Sequence, residues 1–145
     1  MSRSTVAHIM SRNVESLKIG ESIALARDIM GLGRIRHLPV VDGEGYLVGL
    51  VTHRLLLSAW LGHGRPASEK PHEIDEEVPV EMMMDKRIKT VTPSTPAELA
   101  ARIMEENKYG CLPVVESEDD QKLVGILTEA DFVRFARRYF ESEAR

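Results

Sequence analysis

Apolar positions recur in two arrangements along this chain, and each arrangement occurs twice. Ile23, Ala26, Ile29 and Met30 fall on one face at helical spacing, as Leu99, Ala100, Ile103 and Met104 do further on. Each stretch predicts a helix with one side to bury. After each come two short runs, "HLPVV" (37–41) with "YLVGLVT" (46–52) and "CLPVV" (111–115) with "LVGILT" (123–128), which read as strands paired across a turn. The first turn is built on "DGEG"; the second, at 116–122, is looser and acidic. Pro39 and Pro113 cannot donate to a ladder, which places each at a strand's start or open edge. Thr95, Pro96 and Glu98 spell a capping box with proline at the first helical position. A last helix follows each strand pair at Thr52 or Thr128, whose side-chain oxygen can cap it. Its expected buried side is Leu55, Leu56, Ala59 and Trp60 in the first case, and Phe132, Phe135, Ala136, Tyr139 and Phe140 in the second.

The two arrangements are copies. Residues 6–42 align with 80–116 without a gap, so that Met10 falls on Met84 and "LARDIM" (25–30) on "LAARIM" (99–104). Two extra residues enter the second turn, after which "LVGLVT" meets "LVGILT". Each copy reads β-α-β-β-α, a three-stranded sheet with two helices on one side, which makes the chain α+β. The open face of such a sheet needs cover, and packing the copies sheet to sheet about a pseudo-twofold axis supplies it. The organisation is therefore a first motif over 4–61, a proline-, glycine- and charge-rich linker over 62–79, and a second motif over 80–140. The run "EMMM" (81–84) reads as packing, since methionine fills irregular apolar gaps.

Composition narrows the class. With 145 residues, 43% hydrophobic and 29% charged, the chain is an ordinary globular one, and its net charge of -4 gives no reason to expect nucleic acid. Cys111 is the single cysteine, which excludes an intrachain disulfide and suits a reducing compartment; the expected location is cytoplasmic. No apolar run reaches the roughly 18 residues of a membrane span, and the N-terminus lacks the apolar core of a secretory signal. The expectation is no membrane association.

The paired "HLPVV…LVGLVT" and "CLPVV…LVGILTEAD" elements closely resemble a tandem pair of cystathionine β-synthase (CBS) motifs, the Bateman module, over about residues 4–140. The resemblance implies a disc-like pair whose two clefts between the repeats hold adenosine-containing ligands such as AMP, ADP, ATP or S-adenosylmethionine. It implies that Thr128 and Asp131 hold the ribose, that Val14, Ile35 and Arg36 line the base pocket, and that basic residues near Arg34, Arg36 and His37 reach the phosphates; Arg134, one helical turn after Asp131, can point the same way, and for each of the four the alternative is a solvated surface charge. In the other cleft it places Thr52 opposite Ile88, Tyr109 and Gly110. It further implies a homodimer and a regulatory role toward a separate, unidentified effector protein.

The copies differ where chemistry matters: Asp131 follows Thr128, but Leu55 follows Thr52. A carboxylate offers two acceptor oxygens to the vicinal hydroxyls of a ribose, and a helix N-terminus steadies its charge. Leucine accepts nothing, so the Thr52 cleft is expected to be weak or empty. TxxD is also a plain helix-start signal, in which Thr128 and Asp131 serve only the helix. No phosphate loop, dinucleotide fingerprint, metal-ligand spacing or nucleophile–base pair occurs among these residues, so no enzyme activity, metal or catalytic cofactor is expected. The competing reading is a ligand-free dimeric adaptor whose clefts are apolar seams.

Overall fold

The computed structural model describes residues 3–60 and 77–144, without the side chains of Ala59 and Trp60. The expected linker therefore lies outside the described residues up to position 76, and so do the side chains of two residues assigned to a buried helix face. The elements are α1 (Val6–Ile9), β1 (Leu17–Lys18), α2 (Ile23–Gly33), β2 (His37–Val41), β3 (Leu47–Thr52), α3 (His53–Trp60), a 3-10 turn (Val80–Met82), α4 (Ala97–Asn107), β4 (Cys111–Val115), β5 (Leu123–Thr128) and α5 (Glu129–Glu143). The architecture is the expected α+β one.

Two compact units form. One is Glu15–Arg87; the other joins the segment up to Val14 to the chain from Ile88 onward. In the first, β1 pairs parallel with β2 and β2 antiparallel with β3, in the order β1-β2-β3. Its core gathers Leu17, Ile23, Ala26, Leu38, Val40, Val51 and Val80. In the second, β4 pairs antiparallel with β5, and the core gathers Val6, Ile9, Ala100, Leu112, Val114 and Leu127. The expected first strand of the second copy is reduced to one parallel bridge, Val91 to Val114.

The opening stretch of each copy completes the unit built on the other copy. Ile23 N–H, at the start of α2, donates to Val78 O at 3.0 Å, and Ala97 N–H, at the start of α4, donates to Ser4 O at 2.9 Å. Each bond satisfies a helix-terminal donor that has no partner inside the helix. Val80 N–H likewise reaches Glu21 O, and Val6 N–H reaches Thr95 O, both at 2.8 Å. Asp85 then bridges Leu50 on β3, and Ser11 bridges Ile126 on β5. The glycines of "LVGLVT" and "LVGILT" permit this approach. A Cβ at Gly49 would stand 2.2 Å from Met84 Sδ, and one at Gly125 would stand 3.0 Å from both Met10 Sδ and Ser11 O.

Several local expectations are corrected. The Thr95–Glu98 capping box does not form: Thr95 Oγ1 accepts from Thr92 N–H at 3.0 Å, Glu98 pairs with Arg102, and Pro96 is the extended N-cap rather than the first helical residue. The hydroxyl is already used in closing the 92–95 turn. In α2 the cap is Ser22, which accepts from Leu25 N–H. Leu99 is 39% exposed and Ala97 is buried in its place. Pro39 and Pro113 lie at the middle of buried strands. The missing N–H of Pro39 is tolerated because β1 first pairs opposite Val40, leaving Pro39 beyond its end, and at Pro113 the parallel bridge from Val91 uses the proline carbonyl and the Val115 N–H instead. On α5, Phe132 packs against the core, but Phe135, Tyr139 and Phe140 are exposed rather than buried. The "EMMM" run divides: Met83 and Met84 pack on the core, and Met82 is exposed.

Candidate functional site

The site is built where β5 becomes α5. Thr128 ends the ladder opposite Cys111 and keeps an extended backbone, φ -124° and ψ 169°, as the N-cap of α5. That places Asp131 at the third helical position, from which its side chain turns back. Thr128 N–H donates to Asp131 Oδ2 at 2.8 Å while the Thr128 side chain accepts from the Asp131 backbone N–H, a reciprocal pair that makes a capping box; the Thr128 hydroxyl also approaches Oδ2 at 3.2 Å. The local helix-start reading of TxxD is thus realised.

Asp131 does more than cap. It is 2% exposed, the buried charged residue among those described. Ser11 Oγ donates to Oδ1 at 2.7 Å, and the half-exposed Arg134 guanidinium ion-pairs the same oxygen. Ser11 is fixed there by backbone: its N–H donates to Ile126 O, and Ile126 N–H to Ser11 O, each at 2.9 Å. The result is a buried carboxylate surrounded by a cation, a hydroxyl and a helix N-terminus. Sequence reasoning missed Ser11. The signal was its alignment with Asp85, a polar residue following Met10 and Met84 in both copies.

The equivalent place in the first copy lacks the acid. Thr52 Oγ1 caps α3 by accepting from Leu55 N–H at 3.0 Å, and the half-buried Leu55 stands where Asp131 does. Asp85, in Ser11's place, turns its carboxylate to Arg87 N–H at 2.9 Å.

The remaining expected residues divide between the units. Val14, Ile88, Tyr109 and Gly110 belong with Thr128, Asp131 and Arg134; Ile35, Arg36, His37 and Thr52 belong to the unit Glu15–Arg87. Ile35 packs against that unit's core, and exposed Arg36 lends its carbonyl to His53 N–H at 2.8 Å. His37 opens β2 opposite Thr52. Arg34 is the C-cap of α2 at φ 53°, so its position follows from helix termination. Tyr109 is 41% exposed. Cys111 is buried, which pushes its thiol up to about 12 and keeps it protonated and unreactive. Among the described residues no group of three or more His, Cys, Asp or Glu side chains gathers to hold a metal. No described helix is long and apolar enough to cross a membrane.

Comparison with known proteins identifies the family. The CBS domain family model matches residues 6–62 and 77–138. The chain spans about a quarter of the length of the first curated relative it matches, homoserine O-acetyltransferase of Methanohalobium evestigatum, at 30% identity over 139 residues (96% of this chain, 25% of the relative). Among solved structures, a putative acetoin utilization protein (AcuB) from Vibrio cholerae superposes with a TM-score of 0.82 at 31% identity, over 99% of this chain and 97% of that one. CBSX2 in complex with AMP gives 0.77 at 30%, covering 94% and 98%. The CBS domain pair of protein MJ0100, in complex with 5′-methylthioadenosine and S-adenosyl-L-methionine, gives 0.77 at 25%, covering 95% and 99%.

Proposed function

The chain belongs to the CBS domain family, and from that premise we propose that it is a regulatory module that binds an adenosine-containing ligand and passes the signal to a separate protein. The observation that carries this reading is the buried Asp131 carboxylate beside Thr128, in a chain similar to proteins that hold AMP, or 5′-methylthioadenosine with S-adenosylmethionine. In this reading Thr128 and Asp131 take the ribose hydroxyls, and no catalytic step is involved. Leu55 offers no acceptor to a diol, so a single competent site per chain is proposed. The helix that holds Asp131 in its first turn also presents an exposed apolar face further along, so a shift at the carboxylate is transmitted along one rigid element. The size of that signal is the ligand's difference in affinity for the two states. The output face is a groove of about 550 Å³ lined by Val133, Ala136, Arg137, Phe140, Glu141 and Ala144. It carries both signs of charge beside the Phe140 ring and apolar side chains, which makes it self-complementary and suits a second copy of the chain.

One observation favours the other reading, a dimeric adaptor without ligand: both Asp131 oxygens already have partners inside the unit. Calorimetric titration with AMP and with S-adenosylmethionine separates the two. The proposed function expects one mole bound per chain. It also expects Asp131→Asn, which keeps the shape but loses the charge, to weaken binding. Losing one or two hydrogen bonds to a charged acceptor, at about 1.5–3 kcal/mol each, amounts to roughly ten-fold to several-hundred-fold. Two equal sites, or an unchanged affinity in the variant, would refute the assignment.

A further inference from the structure

The acceptor capacity of Asp131 is full. A carboxylate offers about four lone-pair positions. Thr128 N–H and its hydroxyl take two on Oδ2, and Ser11 Oγ and the Arg134 guanidinium take two on Oδ1. A ribose hydroxyl needs an acceptor position on this carboxylate, so at least one present partner must leave before a nucleoside can bind there.

The partners differ in how readily they go. Thr128 bonds Asp131 within one turn of its own chain, and its N–H has that carboxylate as its helix-terminal acceptor. Ser11 is held in place by two backbone bonds to Ile126. Arg134 reaches Asp131 from one turn further along α5, and its side chain is 42% exposed. Its long stem can turn the guanidinium toward solvent without disturbing the core, so of these contacts it is the one that a side-chain rotation alone can open.

We infer that Arg134 is a latch on the ribose-gripping acid, closed in the free protein and opened at least cost by a ligand that brings its own anion. An adenosine compound with a phosphate gives the displaced guanidinium a new partner with matching fork geometry. A neutral nucleoside returns nothing for the lost pair, and a sulfonium such as that of S-adenosylmethionine adds a like charge. The latch therefore sets the ligand class as phosphate-bearing adenosine compounds. The inference rests on the proposed ribose site and adds to it a residue that works in opposite directions on two ligands.

That opposition is the test. In the unaltered protein, AMP should bind at least about ten-fold more tightly than adenosine, the worth of one charge-assisted hydrogen bond. In Arg134→Gln the gap should close from both sides: AMP weakens because its phosphate partner is gone, and adenosine tightens because the position that Arg134 held on Oδ1, beside Ser11 Oγ, is freed. A residue that merely contacts phosphate would weaken AMP and leave adenosine where it was; that result overturns the latch. Equal affinities for AMP and adenosine in the unaltered protein overturn it too, without requiring the variant to fold. If neither compound binds the unaltered protein, the ribose site itself is refuted and the latch with it, an outcome told apart by the absence of any binding.

Discussion

Cys111 and Asp131 are buried ionisable residues of one unit in different surroundings. Asp131 has four donors around it. Cys111 opens β4 with apolar surroundings, and burial alone pushes its thiol up to about 12. In the unfolded chain a cysteine titrates near ~8.5. Above that value the unfolded state releases a proton that the folded state keeps, so the unfolded state binds fewer protons and stability must fall as pH rises. The contribution is fully present below the unfolded value and declines from there toward 12. Urea midpoints between pH 7 and 10.5 for the unaltered protein, taken as a difference from Cys111→Ala so that lysines and tyrosines cancel, should be level up to about pH 8 and then converge. A difference that stays level to pH 10.5 would show the thiol to be accessible. What could be read from sequence at this scale was local. TxxD lies within four residues, and both its capping geometry and its isolation from Leu55 were visible. Ser11 stands 120 positions from Asp131 and is brought there by a backbone bridge, which no short motif encodes.

The helices show the same boundary between what a pattern states and what it leaves open. On α2 the spacing of Ile23, Ala26 and Met30 named the buried face correctly, because that helix lies along its own unit's core. On α5 the same kind of spacing named an apolar face, but periodicity does not say what covers it. Within the chain nothing described covers it beyond Phe132: Val133 is 69% exposed, Tyr139 52% and Phe140 64%. Tyr139 and Phe140 meet edge to face at 5.8 Å, which fixes their rings in an outward cluster. Arg137 and Glu141, which both line the groove, pair with each other along the helix. Two such faces meeting would bury the rings and bring the ion pairs together, which is the dimer proposed above. Phe140→Glu places a charge at the middle of that contact without touching the unit's own core. Sedimentation at micromolar concentration should show a monomer for the variant and a dimer for the unaltered chain, with far-ultraviolet dichroism unchanged. A monomeric unaltered protein, or a variant that remains dimeric, would remove α5 as the contact.

Over the whole molecule, duplication was legible and its wiring was not. Aligning the copies marks which residues are equivalent; it cannot mark which copy an opening stretch folds onto, since both choices preserve every match. The structure assigns Val6, Ile9 and Met10 to the core built on the second copy, and Val80 to the core built on the first. The consequence is severe for either half alone. Fully burying an aliphatic or methionine side chain contributes about 1.5–3 kcal/mol, so removing Val6, Ile9 and Met10 costs roughly 5–9 kcal/mol, against a typical domain stability of about 5–15 kcal/mol. The start of α4 also loses the Ser4 carbonyl, and β5 loses its bridge to Ser11. A fragment of residues 77–145 should therefore lack a cooperative melting transition, and so should one of residues 1–61, which lacks Val78 and Val80. Mixed in equal amounts, the two should regain a single cooperative transition, because each carries the stretch the other needs. A fragment 77–145 that melts cooperatively by itself would mean that the opening segment is an accessory to that unit rather than part of its core. Asp131 would then have to hold its position without Ser11, whose place beside it depends on the same segment.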